Sequence, residues 1–150
     1  MSDSPEILLL NGPNLNMLGV REPDIYGYET LADIEDLCSD RARSLGLTID
    51  FRQSNFEGEL VTIIQKSRDT AAGIIINGAG YTHTSVAILD ALRITELPVI
   101  ELHLSNIHAR EAFRHTSYIA QAAKGIICGF GAHGYVLAID AMARLIECAD

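Results

Sequence analysis

Basic residues are scarce in this chain. Eleven Lys+Arg stand against 20 Asp+Glu, a formal net charge of −9 over 150 residues. A sequence-independent nucleic-acid binder needs clustered Lys and Arg to displace counterions, so the composition argues against that class. It argues equally against a polybasic membrane-surface protein. Long apolar runs are also missing, and none approaches the ~20 residues of a spanning helix. The first residues, Met1 to Glu6, lack the basic and apolar regions of a secretory signal. Cysteine is confined to Cys38, Cys128 and Cys148, an odd number with no CxxC spacing. These read as reduced packing residues in a cytoplasmic protein. What the chain does have is globular composition, 48% hydrophobic and 21% charged. That suits one domain over residues 1–150 with a sizeable buried core.

The hydrophobic pattern is a strand-then-helix alternation. Residues 6–10 form an apolar run closed by the turn formers Asn11-Gly12-Pro13-Asn14. From Thr30, Leu31, Ile34, Leu37, Cys38 and Leu45 recur at helical spacing, with Gly46 as the stop. Residues 47–52 read as a second strand, followed by a helix facing inward through Leu60, Ile63 and Ile64. Residues 73–77 are the clearest buried strand. Residues 84–95 read as a helix with Val86, Leu89 and Leu92 on its stripe. Residues 98–102 and 125–128 supply strands four and five, and an amphipathic helix over 135–148 closes the chain. The expected fold is α/β: a flavodoxin-like, doubly wound, five-stranded parallel sheet with helices on both faces.

In such sheets ligands bind beyond the carboxyl ends of the strands. A dense polar set falls there: Asn11 and Asn14, then Arg21 and Tyr26; Asn77 to Ser85; Glu101, His103, Ser105, Asn106, His108 and Arg114. Residues 129–134 match G-x-G-x-x-G between a strand and a helix. The acidic strand end that a dinucleotide site needs about 20 residues on is missing, which leaves tight turning and close packing as the leading role. Neither a P-loop nor a G-x-S-x-G elbow occurs, and the five histidines lack HExxH spacing. Lys66 and Lys124 are the only lysines, and neither falls at the carboxyl edge, so Schiff-base chemistry lacks its nucleophile. Acid–base chemistry with Arg, Tyr, Asn, Glu and His remains.

Six segments, taken in order, resemble one family. They are residues 10–19 (LNGPNLNMLG), Arg21-Glu22-Pro23, Tyr26-Gly27, residues 81–85 (YTHTS), residues 101–106 (ELHLSN) and residues 108–114 (HAREAFR). Together they closely resemble type II 3-dehydroquinate dehydratases, over nearly the whole chain. The sequence departs modestly at Gly78-Ala79-Gly80 but keeps Asn77. The resemblance implies conversion of 3-dehydroquinate to 3-dehydroshikimate plus water through an enolate, with no cofactor, metal or Schiff base. It implies Tyr26 as base, assisted by Arg21, and His103 as acid, with Asn14 at the enolate oxygen. Asn77, His83, Arg114 and the backbone N–H groups of Leu104 and Ser105 match the family's substrate contacts. Asp90 matches a residue that reaches a neighbouring subunit's site, which implies a homo-oligomer, a dodecamer built from trimers.

Elementary chemistry is compatible with these roles. Forming a phenolate at pH 7 costs about 4 kcal/mol. A cation at ~4 Å and effective dielectric ~20 returns about the same, and Arg21 has the right sign. Glu101, two residues before His103, points the same way off a strand and could fix the imidazole tautomer and favour its charged form. Blander roles stay open for each: Tyr26 as a turn aromatic, Arg21 and Arg114 as solvated charges, His103 as a hydrogen-bonded core histidine. Asn14 could be a turn former, Asn77 a strand end, His83 a helix cap and Asp90 an ordinary surface acid. The segment over residues 15–28 is long for a βα connection and reads as a lid carrying Arg21 and Tyr26. Two other classes compete: a flavin or nucleotide binder, and a receiver-like interaction module, which would want an acidic residue where Asn77 stands.

Overall fold

Three apolar runs set the centre of the sheet. β1 (Glu6–Asn11), β3 (Gly73–Asn77) and β4 (Val99–His103) are buried almost without interruption. β2 (Thr48–Gln53) and β5 (Gly125–Cys128) flank them and are partly exposed. The five strands are parallel in the order β2-β1-β3-β4-β5. Continuous apolar runs suit central strands covered on both faces, and mixed ones suit edges. The computed structural model describes residues 3–20, 22–26 and 28–148, and of Tyr26 its backbone alone.

Among the described residues, five α-helices accompany the sheet: α1 (Pro23–Tyr26), α2 (Leu31–Ser44), α3 (Glu57–Ser67), α4 (Val86–Thr95) and α5 (His133–Cys148). α2 and α5 cover one face, packing Ile34, Cys38, Ile139 and Met142 against Ile7, Leu9, Ile75 and Leu102. α3 and α4 cover the other, packing Leu60, Ile64, Ile88 and Leu92 against Leu8, Leu10, Ile74 and Ile76. Helices on both faces make the sheet doubly wound, as the alternation predicts. α2 starts at a capping box, with Thr30 Oγ1 accepting from the Asp33 N–H and the Asp33 carboxylate from the Thr30 N–H. α4 starts at Ser85, whose hydroxyl accepts from the Ile88 N–H.

Several local expectations need correction. The buried stripe of α2 is Ile34, Cys38 and Ala42. Leu37 lies about 100° round the helix from its centre and is exposed, and Leu45 follows the last helical turn. The buried face of α4 runs through Ile88, Leu89, Ala91, Leu92 and Thr95, which includes the expected Leu89 and Leu92, but Val86 is 51% exposed. Two steps of three residues drift about 120° round a helix, so Val86 and Leu92 cannot share one narrow stripe. Cys38 packs fully, and burial pushes its thiol up to about 12. Cys128 is half-buried and Cys148 exposed, so the packing role holds for Cys38 and not for Cys148.

The strand–helix alternation breaks between β4 and β5. Three 3-10 turns stand there: Ile107–Ala109, Ala112–Arg114 and Ile119–Ala122. Arg114 thus sits on a short turn. Residues 15–28 hold a 3-10 turn (Leu15–Met17) and the four-residue α1. The glycine run at 129–134 turns and packs: Gly129 and Gly131 have φ of +98° and +59°. A Cβ at Gly134 would stand 3.2 Å from Leu102 Cδ1, so glycine lets α5 approach β4 closely. Among the described residues, no helix is long and apolar enough to cross a membrane.

Candidate active site

A cavity opens beyond the carboxyl ends of β1, β3 and β4. Asn14, Asn77, His83, His103, Leu104, Ser105 and Arg114 all line it, together with Arg110. Seven of the residues expected at the site are therefore brought together by the topology. Glu101 lies beneath them, fully buried. Asp90 is exposed on α4 and does not line the cavity. Arg21 and the Tyr26 side chain lie outside the described residues; the Tyr26 backbone ends α1.

The best-defined element is the Glu101–His103 pair. Alternation along β4 points both side chains to one face, and His103 Nε2 meets Glu101 Oε2 at 2.5 Å. A carboxylate only accepts, so Nε2 carries the proton and Nδ1 is the ring nitrogen left for another partner. The second carboxylate oxygen accepts from the Ser117 hydroxyl at 2.7 Å. Ser117 Oγ in turn accepts from the Ala120 N–H at 3.0 Å, at the start of the last 3-10 turn. Both oxygens of a fully buried carboxylate are thereby satisfied, which such a group requires.

His83 stacks against His103 with ring centroids 6.2 Å apart and planes 17° from parallel. Its Nδ1 donates to the Thr116 carbonyl at 2.8 Å, which leaves Nε2 as an acceptor. Burial holds the His83 pKa below the ordinary histidine value, and the neighbouring His103 and Arg114 act in the same direction. A neutral acceptor histidine therefore stands beside the carboxylate-bound one.

Asn14 has φ 70°, a left-handed conformation that asparagine tolerates well. Its N–H donates to Asn55 Oδ1 at 2.9 Å, and Gln53 Nε2 donates to the same oxygen and to the Gly12 carbonyl. The end of β2 thus holds the turn that presents Asn14, so its turn-forming and cavity roles coincide. Asn77 is buried at the end of β3, where Oδ1 accepts from the Ala79 N–H and Nδ2 donates to the Tyr135 hydroxyl. Arg110 donates to the Ser105 hydroxyl at 3.2 Å, and Arg114 Nε pairs with Glu111 at 3.3 Å. Two guanidiniums and two histidines beside the backbone of Leu104 and Ser105 suit a small anion.

Ser117, Arg110 and Tyr135 escape the sequence reading. Arg110 sits inside the 108–114 motif and could have been flagged as its unassigned cation. Ser117 and Tyr135 carry no local signal, because their partners lie 16 and 58 residues away. Among the described residues, no group of three His, Cys, Asp or Glu side chains is placed to hold a metal ion.

Comparison with known proteins identifies the family. Residues 5–143 match the family model described as dehydroquinase class II. The chain is 60% identical over 139 residues to 3-dehydroquinate dehydratase of Methylobacterium radiotolerans, covering 93% of each chain. It is 58% identical over 143 residues to 3-dehydroquinate dehydratase 2 of Pseudomonas putida, covering 95% of this chain and 96% of that one. The crystal structure of type II dehydroquinase from Propionibacterium acnes superposes with a TM-score of 0.91 at 42% identity, covering 94% of this chain and 97% of that one. The flavodoxin-like sheet, the cavity at its carboxyl edge and nearly full-length similarity converge, and the chain belongs to the class II dehydroquinases.

Proposed function

We propose that residues 1–150 form one catalytic domain, a carbon–oxygen lyase that removes water from 3-dehydroquinate to give 3-dehydroshikimate. The observation that carries this reading is the buried Glu101–His103 pair at the edge of the sheet, with Asn14, Asn77, His83 and Arg114 gathered around the same cavity. Tyr26, as phenolate beside Arg21, takes the proton on the carbon next to the ketone. The electrons move onto the ketone oxygen, and Asn14 helps hold that enolate. As the enolate collapses, the hydroxyl leaves with a proton from His103, and the carbon–carbon double bond forms. Glu101 neutralises the imidazolium while its proton is held for transfer. Asn77, His83, Arg114 and the N–H groups of Leu104 and Ser105 bind the substrate's hydroxyls and carboxylate. The proton on Tyr26 then returns to His103 through solvent, so that one water and one 3-dehydroshikimate leave and both groups are reset without a cofactor.

The net charge of −9 does not oppose an anionic substrate, because Arg110 and Arg114 stand at the cavity and distant acids are screened by solvent. We place the active enzyme in a homo-oligomer, a dodecamer of trimers. An exposed Asp90 away from its own cavity fits a residue that serves a neighbour's site. A cytoplasmic setting rests on the three unbridged cysteines. Residues 15–28 close over the substrate and bring Arg21 and Tyr26 to it. Mixing the protein with 3-dehydroquinate should raise the near-ultraviolet absorbance of a conjugated enone. No rise at high protein concentration would refute the assignment.

A further inference from the structure

Tyr135 is the largest side chain in the core that is completely buried, and it carries a hydroxyl. It enters from α5 and meets the ends of two neighbouring strands, β1 and β3, where Asn11 and Asn77 are register partners. A hydrogen-bond chain runs through it. Asn77 Nδ2 donates to the Tyr135 hydroxyl at 3.0 Å, and that hydroxyl donates to Asn11 Oδ1 at 2.7 Å. Asn11 Nδ2 then donates to the Arg52 carbonyl at 3.0 Å. At the other end, Asn77 Oδ1 accepts from the Ala79 N–H at 3.2 Å.

The sense of this chain is fixed at both ends. An amide N–H can only donate and a carbonyl can only accept. The Ala79 N–H therefore requires oxygen on that side of Asn77, and the Arg52 carbonyl requires nitrogen on that side of Asn11. The tyrosine hydroxyl between them must accept from one and donate to the other. Burial pushes its pKa well above the ordinary tyrosine value, so it keeps the proton that this double role needs. Asn77 has two amide hydrogens, and Tyr135 takes one. The second is left for the cavity that Asn77 lines.

We propose that Tyr135 is a positioning residue that presents Asn77 to the cavity as a hydrogen-bond donor and so selects a substrate oxygen there. With phenylalanine at 135, Asn77 Nδ2 would lose its buried acceptor, and the amide would turn to find another. The kinetic consequence rests on the dehydratase reading; the amide orientation does not.

Two arms test the idea. In the first, kcat/KM for 3-dehydroquinate is measured for the wild type, Tyr135→Phe, Asn77→Ala and the double variant. Tyr135→Phe should lower kcat/KM by about tenfold or more in the wild type, but by less than about twofold in the Asn77→Ala background. Equal losses in both backgrounds would mean that Tyr135 serves the fold alone, and would overturn the proposal. In the second arm, nitrogen-15 NMR follows solvent exchange of the Asn77 side-chain amide. One proton should exchange slowly and its geminal partner fast in the wild type, and both fast in Tyr135→Phe. Two fast protons in the wild type would overturn the proposal even if the variant failed to fold. An inactive wild type with the expected amide pattern would refute the dehydratase reading and leave this inference standing.

Discussion

The sheet edge of the cavity and the segment that follows β1 are built differently. The sheet-side wall comes from the ends of β3 and β4, and its polar groups are locked in place. Glu101 is held by His103 and Ser117, and Asn77 by Ala79 and Tyr135. The segment that follows β1, residues 15–28, lines the cavity through Leu15 and is anchored in the core by Leu15 and Leu18; its described residues hold a three-residue 3-10 turn and a four-residue helix. Met17, Val20, Ile25 and Tyr28 on it are exposed, Val20 and Tyr28 by 73% and 74%. A helix of one turn has almost no stability of its own, and exposed side chains add little packing. The lesson is a division of labour. On the proposed mechanism the acid, His103, is pre-positioned by the fold, whereas Tyr26 and Arg21 act from the less packed segment and reach the substrate when it closes.

That contrast can be broken at three places. The largest effect should come from the segment. Tyr26→Phe and Arg21→Ala should each lower kcat by orders of magnitude, because the first removes the proposed base and the second the charge proposed to make a phenolate accessible near pH 7. Rates within a few-fold of wild type would remove Tyr26 from its role. A smaller effect should come from beneath the sheet-side wall. Ser117→Ala leaves one oxygen of a buried carboxylate without its partner, and should cost about tenfold in kcat through misplacement of His103. Full activity in that variant would mean that the Glu101–His103 pair holds its geometry alone. The smallest should appear in protease cleavage within residues 15–28, slowed several-fold by a bound product analogue. Cleavage insensitive to the analogue would remove the closing segment.

The fold was largely legible in the sequence because central strands of a covered parallel sheet read as unbroken apolar runs. β3 and β5 were located to the residue, and the turn formers after β1 and β3 marked the functional edge. The region between β4 and β5 was less legible. Three 3-10 turns have no periodicity to detect, so Arg114 was placed on its neighbours' motif rather than on its own element. The helical stripes were misread at Leu37 and Val86, where three-residue spacing drifts off the packed face. In the site, strand alternation pointed Glu101 at His103, whereas the role of His103 itself needed the family resemblance. The roles of Asn14, Asn77, His83 and Arg114 needed the family resemblance, since each residue type also suits a turn, a cap or a solvated charge. Ser117 and Tyr135 stayed hidden because a buried hydroxyl announces its partner only after folding.

The division between base and acid is tested most directly by separating proton removal from water loss. 3-Dehydroquinate is incubated in deuterium oxide with each variant, and the recovered substrate is analysed for deuterium beside the ketone. His103→Ala should incorporate deuterium faster than a protein-free control while forming little 3-dehydroshikimate. Tyr26→Phe should do neither. Exchange by the Tyr26 variant, or none by the His103 variant, would contradict the assignment of base and acid.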